Sequence, residues 1–580
     1  MPAKTPYYIF SQSIKILFFL TCVCGSPVHA NPSIENKSEQ ESQKRIRGLF
    51  LTSQLSLILK EGRYDLSGLN FVDILIPGVQ KDLEKILKVY LGKSINKDEL
   101  INIKKEIIKF YRDNRHPAVV VEIPPQKSKG GVIQILITEQ KLGEVIFKSQ
   151  KWTTPSQLSK YLHVQKGQFI DHDVLKNDIA WLNRNPFHSA STKFKQGSGK
   201  DLIDVEVSVK DRFPFRPFTS LDNTGSSATG YHRIGSGVTW GNAFGFDDLL
   251  TYQYTTSERF SRLHSHSLVY LCYLPWQHVL NVSLNRTQVL PAIAGFRSVS
   301  KSRQTRFRYT IPFRPLFAKV SQELTLGMDV KRSNSNLQNL TLTNPQVALI
   351  APPVIKDITI SQFIFQYYFN WKDKKNNFWI DSQFVLAPFH FLKHQRDVDF
   401  SKNRAYARNR YAYYNITIGD VYKLPFNLSF ASLLRWQHAC RTLPSSELFG
   451  IGGYSTIRGY KPSEASGDQG VILNLEIRTQ DFSPFEHLVK NKDRMSFLCF
   501  YDHGLSTVFK TRIAKANQMR DHATQYGQSI GMGLRYSINP FFSLRIDYGF
   551  KLHDMYSMTD QEKQSHTGKG AWHVGLSGSY

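Results

Sequence analysis

Ala571-Trp572-His573-Val574-Gly575-Leu576-Ser577-Gly578-Ser579-Tyr580 ends the sequence, and its reading decides the fold. Trp572, Val574, Leu576 and Tyr580 alternate with His573, Gly575, Ser577 and Ser579. A period of two gives a strand one apolar face and one small or polar face. In an outer-membrane β-barrel the first face meets lipid, the second lines the lumen, and a terminal aromatic sits in the interfacial girdle. A strand of a soluble sandwich shares this local pattern, so the neighbouring segments have to decide.

Working back from the end, sixteen amphipathic segments run from Pro214 onward. Phe542, Leu544, Ile546, Tyr548 and Phe550 alternate with Ser543, Arg545, Asp547, Gly549 and Lys551. Val471, Leu473, Leu475 and Ile477 alternate with Ile472, Asn474, Glu476 and Arg478; Leu324, Leu326, Met328 and Val330 alternate with Glu323, Thr325, Asp329 and Lys331. Lysine, arginine and aspartate on the second face exclude a dry interior and point to a wet lumen. Tight turns at Pro275-Trp276, Pro315-Leu316, Lys374-Lys375 and Asn539-Pro540 take turns with long connections at 333–356, 393–404, 441–469 and 510–528. Short turns on one side and long loops on the other are the barrel pattern. The expectation is a mainly β protein, a 16-stranded transmembrane barrel over residues 213–580 preceded by two α+β modules.

The N-terminal residues 1–30 read as a secretory signal: Lys4 and Lys15 precede the apolar run 16–23, and Val28-His29-Ala30 offers a small-residue cleavage site. A signal anchor is the alternative. No other stretch approaches the roughly 18 apolar residues that a spanning helix needs. Cys272, Cys440 and Cys499, outside the signal, are odd in number and far apart, against both a disulfide framework and a zinc site. Residues 31–66 read as an N-terminal helix and linker, the helix over Gln43 to Lys60 with Ile46, Leu49, Phe50 and Leu57 on one face and Leu51, Leu55, Ile58 and Leu59 spoiling the other. Two modules follow, 67–140 and 141–212, each with the order β-α-α-β-β. The first has strands at 71–76, 118–123 and 131–138 and helices at 80–90 and 97–114; the second has strands at 143–148, 189–194 and 201–209 and helices at 155–162 and 171–183. The formal charge of +27 suits a wide basic lumen or phosphates of lipopolysaccharide as well as it suits nucleic acid, and export across the inner membrane argues against nucleic acid as the partner.

The sixth long loop carries Glu447-Leu448-Phe449-Gly450-Ile451-Gly452-Gly453-Tyr454-Ser455-Thr456-Ile457-Arg458-Gly459-Tyr460, and the next strand but one carries Phe500-Tyr501-Asp502-His503-Gly504. The pair resembles the GG-x-x-[ST]-[VI]-R-G-[FY] loop and the F-x-D-x-G wall motif of two-partner secretion transporters, outer-membrane pores that export haemolysins and adhesins. The first module's Ile123-Pro124-Pro125-Gln126 and the second's Trp181-Leu182-Asn183 with Asn185-Pro186 and Asp211-Arg212-Phe213-Pro214 resemble that family's polypeptide-transport-associated (POTRA) domains. Ser220 to Gly225, Gly245 and Asp247-Asp248 resemble the start of its barrel. Alternation alone puts Asp502 on the lumen face opposite Tyr501, where a half-buried aspartate wants a partner. The resemblance implies that Arg458 supplies it, locking loop to wall, with Gly452, Gly453, Ile457, Gly459 and Tyr460 shaping the loop and Phe500 and Gly504 shaping the wall.

The resemblance further implies periplasmic modules, a secreted partner with an N-terminal secretion domain, contact with outer-membrane lipid and lipopolysaccharide, insertion by the barrel-assembly machinery, and no catalytic residue, metal or cofactor. It also implies a helix able to plug the lumen. Exposed strand edges, near Val132 to Thr138 or Val205 to Val209, are candidates for capturing client by β-augmentation. The rival readings are an insertase of the same POTRA-barrel superfamily and a barrel enzyme. Gly527-Gln528-Ser529-Ile530-Gly531 matches G-x-S-x-G but opens a period-two strand, where a nucleophile elbow needs a strand-to-helix turn; His264 and His266 read as lumen or loop residues. Gly92-Lys93-Ser94 resembles the end of a phosphate loop, yet Leu87 stands where its first glycine belongs.

Overall fold

The computed structural model describes residues 45–580 except 129, 149, 200, 227–228, 291, 294–295, 314–318, 340–356, 389, 487–492, 514–517 and 556–566. The expected signal lies outside them. The described chain forms two compact units, one built on the first module and one on the second module with the barrel.

In the first unit β1 (Gly48–Thr52), β2 (Gly68–Val72), β3 (Val119–Glu122) and β4 (Val132–Glu139) form a sheet in the order β2-β1-β4-β3. Helices α1 (Gln80–Lys88) and α2 (Lys97–Asp113) pack on it. Leu83 and Leu87 stack one turn apart, as do Ile103 and Ile107, followed by Phe110 and Tyr111; all six are buried. Asn96 caps α2 by accepting the Glu99 N–H at 2.7 Å.

The helix expected over Gln43 to Lys60 is not formed over its described residues, 45–60. Arg45 bridges to Ser94, Gly48 to Thr52 is a strand, and Leu55–Leu57 is a single 3-10 turn. β1 runs parallel to both β2 and β4, and all five of its residues are buried. A strand between two parallel neighbours is apolar on both faces, which is why Leu51 broke the helical stripe. The first module is therefore β-β-α-α-β-β, with the strand expected at 71–76 shifted to Gly68–Val72. The expected capture edge also moves, because β4 lies between β1 and β3.

The second module pairs β5 (Lys141–Lys148), β7 (Leu202–Asp211) and β6 (His188–Gln196) in that order, with α3 (Pro155–Ser159) and α4 (His172–Leu182). Val205 to Val209 is thus interior as well; the free edges are β5 and β6. Asp211 accepts the backbone N–H groups of Lys151 at 2.9 Å and Thr153 at 3.0 Å. Burial alone would raise its carboxyl; the donors of Trp152, Lys151 and Thr153 outweigh it and hold the group below the usual aspartate range.

Sixteen antiparallel strands close the barrel, from Phe215–Asp222 to Gly570–Ser579, whose mutual ladder runs from Asp222 opposite Gly575 to Phe218 opposite Ser579. Ala292–Ile293 adds a short pairing beside Phe296–Phe313. The expected loops at 333–356 and 510–528 are shorter than expected. Val320–Asn339 continues to pair through Asn336 opposite Val299, and Asp493–Ile513 and Gln518–Ile538 pair through Thr511 opposite Arg520. A ladder satisfies its own backbone groups without an apolar face, so polar residues can extend a hairpin beyond the bilayer.

The second module meets the barrel rim. Asp247, at φ +57° in the turn after the second strand, accepts from Asn185 Nδ2 at 2.8 Å and lies 3.0 Å from His188 Nε2. Tyr161 donates to the Tyr273 carbonyl at 2.9 Å, and Arg184 pairs with Glu323 at 2.8 Å.

Candidate functional site: the sixth loop and the wall beneath it

Between the eleventh strand (Leu428–Ala439) and the twelfth (Gln469–Thr479) the chain makes a 3-10 turn at Ser445–Glu447 and a small hairpin, Phe449–Ile451 paired with Ala465–Gly467. The tip of this hairpin folds against the inner wall. Gly452 and Gly453, at φ +100° and +104°, turn the chain there. Ile457 and Tyr460 are fully buried.

Arg458 is 2 % exposed and Asp502 is fully buried. The guanidinium donates through Nε to Asp502 Oδ2 and through Nη2 to Oδ1, each at 2.7 Å, and the Arg458 backbone N–H adds a third bond at 3.0 Å. Nη1 donates to Glu476 at 2.7 Å and lies 3.7 Å from Asp547. The guanidinium carbon stands 3.5 Å above the Phe500 ring, so one face is covered by an aromatic while the edge meets carboxylates. Asn474 completes Asp502 at 2.8 Å and also donates to the Thr456 carbonyl at 2.6 Å.

The contacts reach well past one pair. Six consecutive strands each hold the tip. Arg435 of the eleventh donates to the Ser455 carbonyl at 2.6 Å; Asn474 and Glu476 belong to the twelfth, and Asp502 to the thirteenth (Asp493–Ile513). In the fourteenth (Gln518–Ile538) the Gln528 carbonyl accepts from Tyr460 at 2.9 Å; in the fifteenth (Phe542–Lys551) Arg545 donates to the Tyr454 carbonyl at 3.0 Å. His573 of the sixteenth accepts the Gly459 N–H at 2.8 Å. Glycines make the approach possible. A Cβ on Gly459 would lie 2.6 Å from the Gly549 carbonyl oxygen, and one on Gly504 would lie 2.7 Å from Ile457 Cδ1.

The base of the loop is held separately. Asp468, fully buried, accepts from Arg404 Nη2 at 2.9 Å and from the backbone of Leu443 at 2.7 Å and Phe509 at 2.8 Å. Glu447 accepts from Lys331 at 2.9 Å and from Tyr413 at 2.8 Å.

The structure therefore brings Gly452, Gly453, Ile457, Arg458, Gly459, Tyr460, Phe500, Asp502 and Gly504 into one cluster. Sequence reasoning missed Glu476, Asn474, Asp547, Arg545 and His573 as loop partners. Their signal was present in the lumen-facing parity of their strands, though alternation names a face and not a partner. The remaining motif fragments fall elsewhere. Lys93 pairs with Glu99 at 3.3 Å, and Ser529 is buried mid-strand with no hydrogen-bond partner for its hydroxyl among the described residues.

The model of the haemolysin secretion/activation protein family ShlB/FhaC/HecB matches residues 201–534, and that of the ShlB-type POTRA domain matches 77–140. A heme/hemopexin transporter protein, HuxB, of Haemophilus influenzae strain 86-028NP is 23% identical over 97% of this chain and 98% of its own. Among solved structures, CdiB from Escherichia coli superposes with a TM-score of 0.63 at 14% identity, over 92% of this chain and 90% of that one. BamA from Haemophilus ducreyi lacking POTRA domains 1–3 gives 0.51 at 14% identity, over 87% and 98%, a likeness of fold alone.

Proposed function

This chain belongs to the haemolysin secretion/activation family, outer-membrane transporters that release a secreted protein at the cell surface, and from that premise we propose how its parts divide the work. The modules take up the N-terminal secretion domain of an unfolded exoprotein in the periplasm. The chain crosses the lumen extended and folds outside, which makes return unfavourable without nucleotide hydrolysis. Capture by β-augmentation fits the free edge of β6, whose Phe194 is exposed, better than the interior strands β4 and β7. The relative's name supports a haem-acquisition protein among the first clients to try. During biogenesis the barrel passes through the assembly machinery, and in place it contacts lipopolysaccharide.

What carries the reading is the sixth-loop tip, held through Arg458 and Asp502 while the lumen remains lined with charge. We assign this pair the role of a loop-to-wall lock that positions the loop for transport. The test is export of the exoprotein encoded beside this gene, measured in culture medium. A photo-crosslinking residue at Lys195 should trap a stalled client, and one at the buried Gln134 should not. Export unaffected by removal of the chain, with loss of other outer-membrane proteins instead, would favour the insertase reading that the BamA-like fold also allows.

A further inference from the structure

The outer wall carries a row of cations whose spacing fits one class of ligand. Lys331 reaches Glu447 of the inward-folded loop, so odd positions of the strand Val320–Asn339 face the lumen and even positions face out. Residues directly opposite on an antiparallel ladder share a face. Arg332 lies opposite Arg303, Arg303 opposite Arg286, Arg286 opposite His266, and His266 opposite Tyr254. Five neighbouring strands thus present Tyr254, His266, Arg286, Arg303 and Arg332 side by side on the outside; His266, and His264 two residues before it opposite Gln288, are outer-wall residues and not the lumen or loop residues expected from sequence. Towards the modules the next row is Tyr252, Leu268, Leu284, Thr305 and Val330. Away from them Lys301 lies opposite Gln288.

Height and charge narrow the ligand. Along Phe296–Phe313, the outward Phe313 to Arg303 spans about 33 Å of strand, or about 25 Å of height at a tilt of about 40°. That is the height of the apolar band, so the row stands at the head groups of the outer leaflet. Like charges set directly opposite repel. Arg332 meets Asp357 at 3.0 Å, but among the described residues Arg286, Arg303 and Lys301 have no ion-pair partner, and all three are exposed. Between them runs a groove of about 290 Å³ lined by Tyr252, His266, Leu268, Leu284, Arg286 and Arg303, cationic above and apolar below.

We infer that this groove is a binding site for the phosphorylated glucosamine head of lipopolysaccharide, with Arg286 and Arg303 on phosphate oxygens, Lys301 above them, and Leu268 and Leu284 along an acyl chain. Paired guanidinium groups match phosphate in geometry as well as charge. The inference rests on the outer-membrane placement of the barrel.

The test compares full-length wild type with an Arg286→Ser/Arg303→Ser variant and an Arg286→Lys/Arg303→Lys variant in detergent, by microscale thermophoresis. The probes are purified lipopolysaccharide, the same material with its lipid A phosphates removed, and phosphatidylglycerol vesicles. Wild type should bind intact lipopolysaccharide at least tenfold more tightly than the serine variant or the dephosphorylated probe, with the lysine variant between. Equal binding by wild type and serine variant overturns the site, as does equal wild-type binding of intact and dephosphorylated material, a comparison that stands even if the serine variant fails to fold. Phosphatidylglycerol binding as tight as lipopolysaccharide overturns the assignment to the glycolipid. Outer-membrane fractionation and heat-modifiable mobility of each variant report separately on the placement, so its failure is distinct from that of the site.

Discussion

Arg458 commits one donor on each of its three guanidinium nitrogens to a carboxylate inside the barrel, and its removal should be read as the loss of a fixed loop. Arg458→Ala strands Asp502 in a dry position with Asn474 and one backbone N–H, a change that typically costs about 3–5 kcal/mol for a buried pair. Export should fall steeply while the barrel remains heat-modifiable, because sixteen ladders and not this pair hold the wall. Arg458→Lys should rescue little, since an ammonium cannot make the two-point contact with Asp502 while covering Phe500. Asp502→Asn should resemble Arg458→Ala, and the double variant should be scarcely worse than either; fully additive export defects would separate the two residues. Gly459→Ala is the backbone counterpart. At φ +91° and 2.6 Å from the Gly549 oxygen its methyl has no room, and strain of about 1–3 kcal/mol should detach the tip, seen as new protease cleavage near Tyr460 in whole cells. The loop and wall motifs were legible in sequence because their glycines leave a pattern. Glu476 and Asp547 were legible only as lumen-facing residues, because alternation names a face and not a partner, whether that partner sits on the next strand, as Glu476 does, or on the fifteenth, as Asp547 does.

β1 shows where reading by period fails. Its residues are apolar on both faces, and five positions are too few to tell a strand from a stretch of helix when the neighbouring strands come from distant sequence. The barrel strands were readable for the opposite reason: water on one face and lipid on the other imprint a strict alternation. The correction alters an experiment on the lumen. Removing residues 31–60 would delete the middle of the first module's sheet and confound any change in conductance. Removing 31–43 leaves Arg45, Ile46 and β1 in place and should raise single-channel conductance if that segment occludes the lumen. Leu51→Ala, at a fully buried site, should cost the first module about 2–5 kcal/mol and make it trypsin-sensitive while the barrel resists.

Within the second unit, Asp247 is one of the buried points at which the module meets the barrel. Asp247→Ala would leave His188 buried without its carboxylate partner and Asn185 with only the residue-247 carbonyl at 3.2 Å, at about 1–3 kcal/mol for the stranded group. Faster hydrogen exchange in α4 and reduced export should follow, with outer-membrane insertion unchanged; protection equal to wild type would show that Tyr161 and Arg184 suffice. The short ladder between the first and last strands has a mechanical consequence. Those strands share the ladder pairs from Asp222–Gly575 to Phe218–Ser579, with Asn223 and Arg216 adding bonds to Val574 and Tyr580, and the last strand is also tied, through His573 and Gly459, to a spoke that grips the five strands before it. Strands eleven to sixteen are therefore braced against one another through the loop tip as well as through their ladders. A polypeptide crossing the lumen therefore passes a wall that is cross-tied by the loop tip on this arc and by the loop base at Lys331 and Tyr413 elsewhere.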